Sequence, residues 1–331
     1  MASIASRILR ALRGESDRAD QPLARGRIAA IILAVLILAS LPVVSSYIFL
    51  VVTSFANTIV FTPFIEFAVN WTVDNYVKFF QGKLSPAAGQ VYSTTDIVMF
   101  IVNTLIVALG VTLVVLITSV PAGYAISRIG FRGRGALMKL LILLHAFPGV
   151  ALIIAVYFIY IYMRSPLFQA FEYMASKGLL TDEVLASFDI AYSFFFVIVA
   201  RASLEIPMSI WLMKGFFDKV PWEFEWAAIV DGASRFTAFR KAVLPLVKPG
   251  IAALAIFAFL AGWEDLIYVF VFLPQMTLAT FIHNQLSGGS LETTYLPIVA
   301  AAATLYLLPT ILFFVITQRL LLEAASGGFK G

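Results

Sequence analysis

PWEFEWAAIVDGASRFTAFRKAVLP (221–245) is a polar, helix-prone stretch set between two long apolar runs, and it is too charged to sit in lipid. Pro221 can open a helix, with Glu223 and Glu225 in a first turn where the helix dipole favours acids. Asp231-Gly232 reads as stop and turn, because glycine takes a positive φ at no steric cost. Ser234 can cap a second helix that carries Arg235, Arg240 and Lys241 and ends near Pro245. The reading is a helix–turn–helix knuckle standing off a membrane surface, with Ala227 and Ala228 small enough for another backbone to come close.

The rest of the chain supplies the membrane. Hydrophobic residues make up 61% of its 331 positions and charged residues 13%, where a soluble protein carries about 25% charged. A bilayer core takes about 20 apolar residues in a helix, and six stretches qualify: 28–55, 97–124, 137–163, 191–217, 250–273 and 295–321. The expected fold class is therefore all-α, six transmembrane helices with the knuckle as a loop on one side. Lysine and arginine crowd the tail 1–27, the turn 128–139, the loop 214–248 and the C-terminal end, whereas the opposite side holds Lys78, Lys83, Arg164 and Lys177. By the positive-inside rule both termini and the knuckle are cytoplasmic. In the tail, Ile4, Ile8, Leu9 and Leu12 fall at helical spacing between arginines, so a surface-lying amphipathic helix and a flexible tail are both open. The tail and the run after it read as an uncleaved first span.

Much chemistry is excluded. There is no cysteine, only His145 and His283 among histidines, and no HExxH or GxxxxGK[ST] pattern, so the chain does not itself bind a nucleotide through a P-loop. His145 reads as a packed or interfacial residue. Basic charge gathered at span ends is topology rather than affinity for nucleic acid.

The 221–245 stretch resembles the coupling loop of ABC-importer permeases, whose pattern is EAA, a Gly shortly after, and a later Leu-Pro. The matching residues are Ala227, Ala228, Asp231, Gly232, Ala233, Leu244 and Pro245. Trp226 stands where the pattern has Glu, with Glu225 one position earlier. The resemblance extends through NWTVDNYVKFF (70–80), Asn103-Thr104, AGYAISRIGFRGRG (122–135), FPGV (147–150), IWLMKGFFDKVP (210–221) and the ending GGFKG (327–331), which is similar to that of maltose-type, MalG-like subunits. Trp71, Tyr76, Phe79 and Phe80 also suit a headgroup zone. What the resemblance implies is a permease body over 28–321 with its coupling loop at 218–247, a cytoplasmic basic tail 1–27 and a C-terminal tail 322–331. It further implies a cytoplasmic (inner) membrane complex with a second permease subunit, two ATPase subunits and an extracytoplasmic solute-binding protein. The chain would be no enzyme and hold no metal or cofactor, ATP and magnesium sitting on the ATPases. A sugar is the implied solute, most contacts to it belonging to the partner subunit. A non-sugar ABC permease and an ATP-independent secondary carrier are the alternatives. A knuckle that transmits force needs a fixed angle, set by Gly232, and apolar anchors for a socket, for which Ile229, Phe236 and Phe239 are the candidates.

Ionisable residues inside spans are rare and usually paired or facing a cavity. Here they are Arg201 and Glu205 in span four and Glu264 and Asp265 in span five. At about 1.5 Å rise per residue, Arg201 and Glu264 lie at matching depth, so an Arg201–Glu264 pair is allowed, as is Arg201–Glu205 by i,i+4 spacing. Trp263, Glu264 and Asp265 would either line a transport path, or lock helices together or meet a partner subunit. Pro148, Pro207 and Pro309 are candidate kink sites.

Overall fold

The structure is a computed structural model that describes residues 22–57, 70–82, 92–287 and 296–325. The N-terminal tail before Pro22 and the 327–331 ending lie outside the described residues. In chain order the helices are α1 (Pro22–Ser54), α2 (Asp74–Phe80), α3 (Thr94–Arg128), α4 (Arg134–Ala146), α5 (Gly149–Ser176) and α6 (Asp182–Asp218). There follow α7 (Trp222–Val230), α8 (Arg235–Ala238), α9 (Lys248–Trp263), α10 (Ile267–Phe272), α11 (Leu278–Ser287) and α12 (Leu296–Ala325). Among the described residues six helical stretches are long and apolar enough to cross a membrane, one in each region expected from the sequence.

The core is a packet of α3, α6, α9 and α10. Val107, Val111 and Val115 of α3 meet Val197, Met213 and Phe217 of α6 and Leu254 and Ala258 of α9. Small residues let these helices approach closely, as is usual where lipid removes the hydrophobic drive between helices. A Cβ on Gly262 would stand 2.8 Å from Ala108 Cα, so this crossing admits no side chain. By contrast α1 and α5 bury none of their most apolar window within the chain; α1 lies at the periphery against α12.

Helix starts follow local chemistry. Ser93 and Asp96 form a reciprocal capping box, which begins α3 at Thr94, three residues ahead of the apolar run. At that same end, Asn75 donates to the carbonyls of Ser54 and Ala56, both at 2.9 Å, folding the 70–80 stretch onto the end of α1. Asn103 donates to the Met276 carbonyl at 2.8 Å, and Thr104 Oγ1 accepts from Leu278 N at 2.9 Å, which seats α11. Phe79 is fully buried and packs with Phe281, so it belongs to a core there; Trp71 remains exposed.

Two spans are broken. Span three divides at Phe147-Pro148 into α4 and α5, because proline cannot continue the hydrogen-bond ladder. Span five divides at 264–266 into α9 and α10 without any proline. Pro207 and Pro309 lie inside continuous helices.

Candidate functional site

The knuckle begins at Trp222 and α7 ends in a Schellman motif. Ala233 N donates to the Ala228 carbonyl and Gly232 N to that of Ile229, both at 3.0 Å, with Gly232 at φ +88°. Ser234 then caps α8 by accepting from Thr237 N at 3.3 Å. The chain does not stop near Pro245 as its sequence implies. A wide π turn (Phe239–Val243) and a 3-10 turn (Leu244–Val247) carry α8 directly into α9. Pro245 cannot donate to its own preceding turn, and the change of helical pitch accommodates it.

Beneath the knuckle lies a buried ion pair. Glu225 Oε2 is 3.4 Å from Arg128 Nε, the two side chains being 7% and 3% exposed. Glu225 Oε1 accepts from the Tyr124 hydroxyl at 2.7 Å. Arg128 Nη2 donates to the carbonyls of Val220 (2.6 Å) and Phe217 (3.1 Å), and its guanidinium lies 4.5 Å from the centre of the Trp222 ring. Ser127 donates to Asp218 at 2.6 Å, and Asp218 also pairs with Lys214. The end of α3 is thereby tied to α6 and α7 together. Sequence reasoning placed Arg128 only among the topology-setting charges; Glu225 four residues into a helix facing an arginine-ended span was the available signal.

With Glu225 turned inward, the 100° step of the helix turns Trp226 outward. The exposed apolar surface of the knuckle is made by Trp222, Phe224, Trp226, Val230 and Phe236, with Phe224 and Trp226 on opposite flanks of α7. Of the three expected anchors, Phe236 is exposed and Ile229 half-buried, while Phe239 faces inward, 4.5 Å from the Tyr124 ring and 6.2 Å from that of Phe217. Ala227, Asp231, Gly232 and Pro245 are exposed; Ala228, Ala233 and Leu244 are half-buried.

The second candidate site is the ion cluster where the broken spans meet α6. Arg201 Nη1 is 2.7 Å from Glu205 Oε1 and Arg201 Nε is 2.9 Å from Asp265 Oδ2. Asp265, not Glu264, is thus the partner of Arg201 across the helices. Its Oδ1 accepts from Tyr268 N (2.9 Å) and Val269 N (3.2 Å), capping α10. Leaving the helix at 264 swings Asp265 toward α6, which helical depth alone does not reveal. Glu264 is exposed and accepts one long hydrogen bond, 3.3 Å, from Thr310. An unpaired charge at the bilayer centre costs about 2.5–3.5 kcal/mol on insertion scales, which favours a water-filled setting for it. Trp263 is buried, donates to the Tyr306 carbonyl at 3.0 Å and stacks on the Tyr306 ring, while the Tyr306 hydroxyl donates to the Trp263 carbonyl at 2.6 Å. It locks α9 to α12. A cavity of about 560 Å³ opens between α4, α6 and the α9–α10 break, lined among others by His145, Arg201, Glu205, Glu264 and Tyr268. His145 Nδ1 lies 3.4 Å from the Leu204 carbonyl, and Tyr268 donates its hydroxyl to the Gly149 carbonyl at 2.9 Å. Broken helices with polar groups at the break are the usual architecture of a membrane transport site. Among the described residues no group of His, Cys, Asp and Glu could hold a metal ion.

Residues 119–324 match the family model of binding-protein-dependent transport system inner membrane components. The chain is 32% identical over 237 residues to the maltodextrin transport system permease protein MalD of Streptococcus pneumoniae, covering 69% of this chain and 74% of that one. It is 28% identical over 271 residues to the maltodextrin permease protein MdxG of Bacillus subtilis (81% and 84%). To the trehalose permease protein SugB of Mycobacterium tuberculosis it is 27% identical over 264 residues (78% and 82%). Among solved structures, a bacterial ABC transporter involved in import of the acidic polysaccharide alginate shares the fold, with a TM-score of 0.59, 20% identity, and coverage of 91% of this chain and 99% of that chain.

Proposed function

The chain belongs to the family of binding-protein-dependent transport system inner membrane components, and from that premise we propose that it is one of two membrane-spanning subunits of an ATP-driven carbohydrate importer. The observation that carries the reading is the extent of the family match: it runs from the last turns of α3 to the end of α12 and takes in both the knuckle and the ion cluster. Relatives named for maltodextrin and trehalose transport support a saccharide as the solute. The basic end of the bundle is cytoplasmic by the positive-inside rule, which puts the knuckle and both termini there.

In this mechanism an extracytoplasmic binding protein delivers solute, and two ATPase subunits, which hold ATP and magnesium, close against the membrane. The exposed surface of Trp222, Phe224, Trp226, Val230 and Phe236 seats on an ATPase. Because Arg128 and Glu225 tie α7 to α3, displacement of the knuckle passes to the core helices rather than bending a loose loop. The breaks at 147–148 and 264–266 take up the change of angle as the bundle rocks. The body is 28–321 with its coupling segment at 218–247, and the tails 1–27 and 322–331 are accessory.

Gentle purification of the tagged chain from its native membrane tests the reading. A second permease and an ATPase should co-elute, and the complex should hydrolyse ATP in response to loaded binding protein. A chain that elutes alone and transports without ATP would be a secondary carrier.

A further inference from the structure

The cavity at the broken spans is not electrically neutral. The charged groups on its wall are Arg201, Glu205, Glu264 and Asp265, three carboxyl groups against one guanidinium. Arg201 is engaged by Glu205 and Asp265, at 2.7 Å and 2.9 Å. Asp265 is closed off by the two backbone amides that it caps. The Tyr268 hydroxyl is committed to the Gly149 carbonyl. What remains toward the cavity is the Glu264 carboxylate, whose hydrogen bond from Thr310 leaves acceptor capacity free, backed by Glu205. A carboxylate is acceptor-only when ionised, so it suits a donor-rich hydroxylated solute and repels an anion.

We infer that this cavity is a charge filter on the solute path, with Glu264 as the specificity-determining residue that admits neutral polyhydroxylated solutes and holds back anionic ones. The inference rests on the importer reading above and adds the charge class of the solute. Beside a wall that is mostly apolar, one uncompensated carboxylate acts on an approaching ion more strongly than in bulk water. The charge of Arg201 is offset by Glu205 and Asp265, which accept from its Nη1 and Nε, so its pull on an anion is weakened. Glu205 contributes through its ion pair, as a positioning residue that keeps Arg201 away from Glu264.

The chain has no cysteine, so Ala261→Cys, on the cavity wall, is the only thiol of this subunit in the intact complex. Membranes bearing it are treated with a cationic trimethylammonium-ethyl methanethiosulfonate or its anionic sulfonatoethyl counterpart, and the remaining thiol on the tagged chain is counted with a maleimide-polymer gel shift. Rates are normalised to a free thiol in the same buffer. The cationic reagent should react about tenfold faster or more, and Glu264→Gln should bring the ratio to within about threefold of unity. Glu172→Gln, exposed on α5 away from the cavity, should leave it unchanged. Leu144→Cys, on the facing wall, should give the same order and serves where the first variant fails to assemble. Equal rates that Glu264→Gln does not alter would overturn the inference. So would the absence of reaction with both reagents at both positions, which would place Glu264 against the second permease. ATP-driven uptake of a neutral saccharide, measured in the same membranes, reports on the importer reading separately, because labelling requires no transport.

Discussion

Glu225 stands one position before the place where the coupling-loop pattern has its acid, and its carboxylate is held under the knuckle by Tyr124 and Arg128. Removing one half of a buried ion pair leaves the other as an uncompensated charge, at about 3–5 kcal/mol. Glu225→Ala should therefore loosen α7 from α3, seen as faster tryptic cleavage at Arg240 or Lys241 in inside-out vesicles and a loss of uptake of about tenfold or more. Replacing both partners by apolar residues of similar size should restore much of the protease resistance. At Trp263 the role is inter-helix locking. Trp263→Phe keeps the stack on Tyr306 and loses one hydrogen bond, about 1 kcal/mol, while Trp263→Ala loses the packing as well, about 3–5 kcal/mol. Thermal aggregation of the solubilised complex should rank them in that order. The sequence marked Arg201, Glu205 and Asp265 as an intramembrane group from their scarcity alone. Of the two pairings it allowed for Arg201, the one with Glu205 is present, while the partner across the helices is Asp265 rather than Glu264, because depth along an ideal helix cannot register where the helix ends.

At the scale of elements, the turn at 231–234 was readable because each residue there carries its own reason. Gly232 sits at φ +88° with nothing within 4 Å of an added Cβ, so a substitution there meets backbone strain and no clash. Left-handed conformation costs a non-glycine residue about 1–2 kcal/mol, asparagine less and β-branched residues more. Gly232→Val should then shift the angle between α7 and α8 and lower uptake per ATP hydrolysed, with insertion unaffected, whereas Gly232→Asn should stay near wild type. Reconstituted vesicles in which both rates are measured decide it; a valine variant with normal coupling would remove Gly232 as the angle-setting residue. The break in span three was announced by Pro148. The break in span five had no such signal, since its cause is Asp265 capping α10 while paired with an arginine from another helix. The π turn before Pro245 was hidden for a similar reason: the proline marks a disturbance, but only packing decides whether the helix stops or changes pitch.

At the scale of the whole molecule, the six spans were legible because lipid demands the same run of apolar residues wherever it is crossed. Which spans form the core was not, since α1 and α3 are about equally apolar along their lengths. The distinguishing feature is which faces meet Gly and Ala on another helix. The exposed apolar sides of α1 and α5, away from α12 and from the core, face lipid or a second subunit. Expressed alone, the chain should elute as aggregate, and co-expression with its partner permease should yield a monodisperse complex; equal monodispersity in both cases would argue that these faces are lipid-facing. In the proposed importer the exposed apolar face of the knuckle seats the ATPase. Because the chain has no cysteine, Val230→Cys, at the 83%-exposed tip of α7, places one thiol on that face. A short thiol-to-amine cross-linker applied to native membranes should then give one adduct, with an ATPase subunit, in a yield that changes when a non-hydrolysable ATP analogue is added. An adduct with another copy of this chain, or none in membranes that still take up solute, would contradict it.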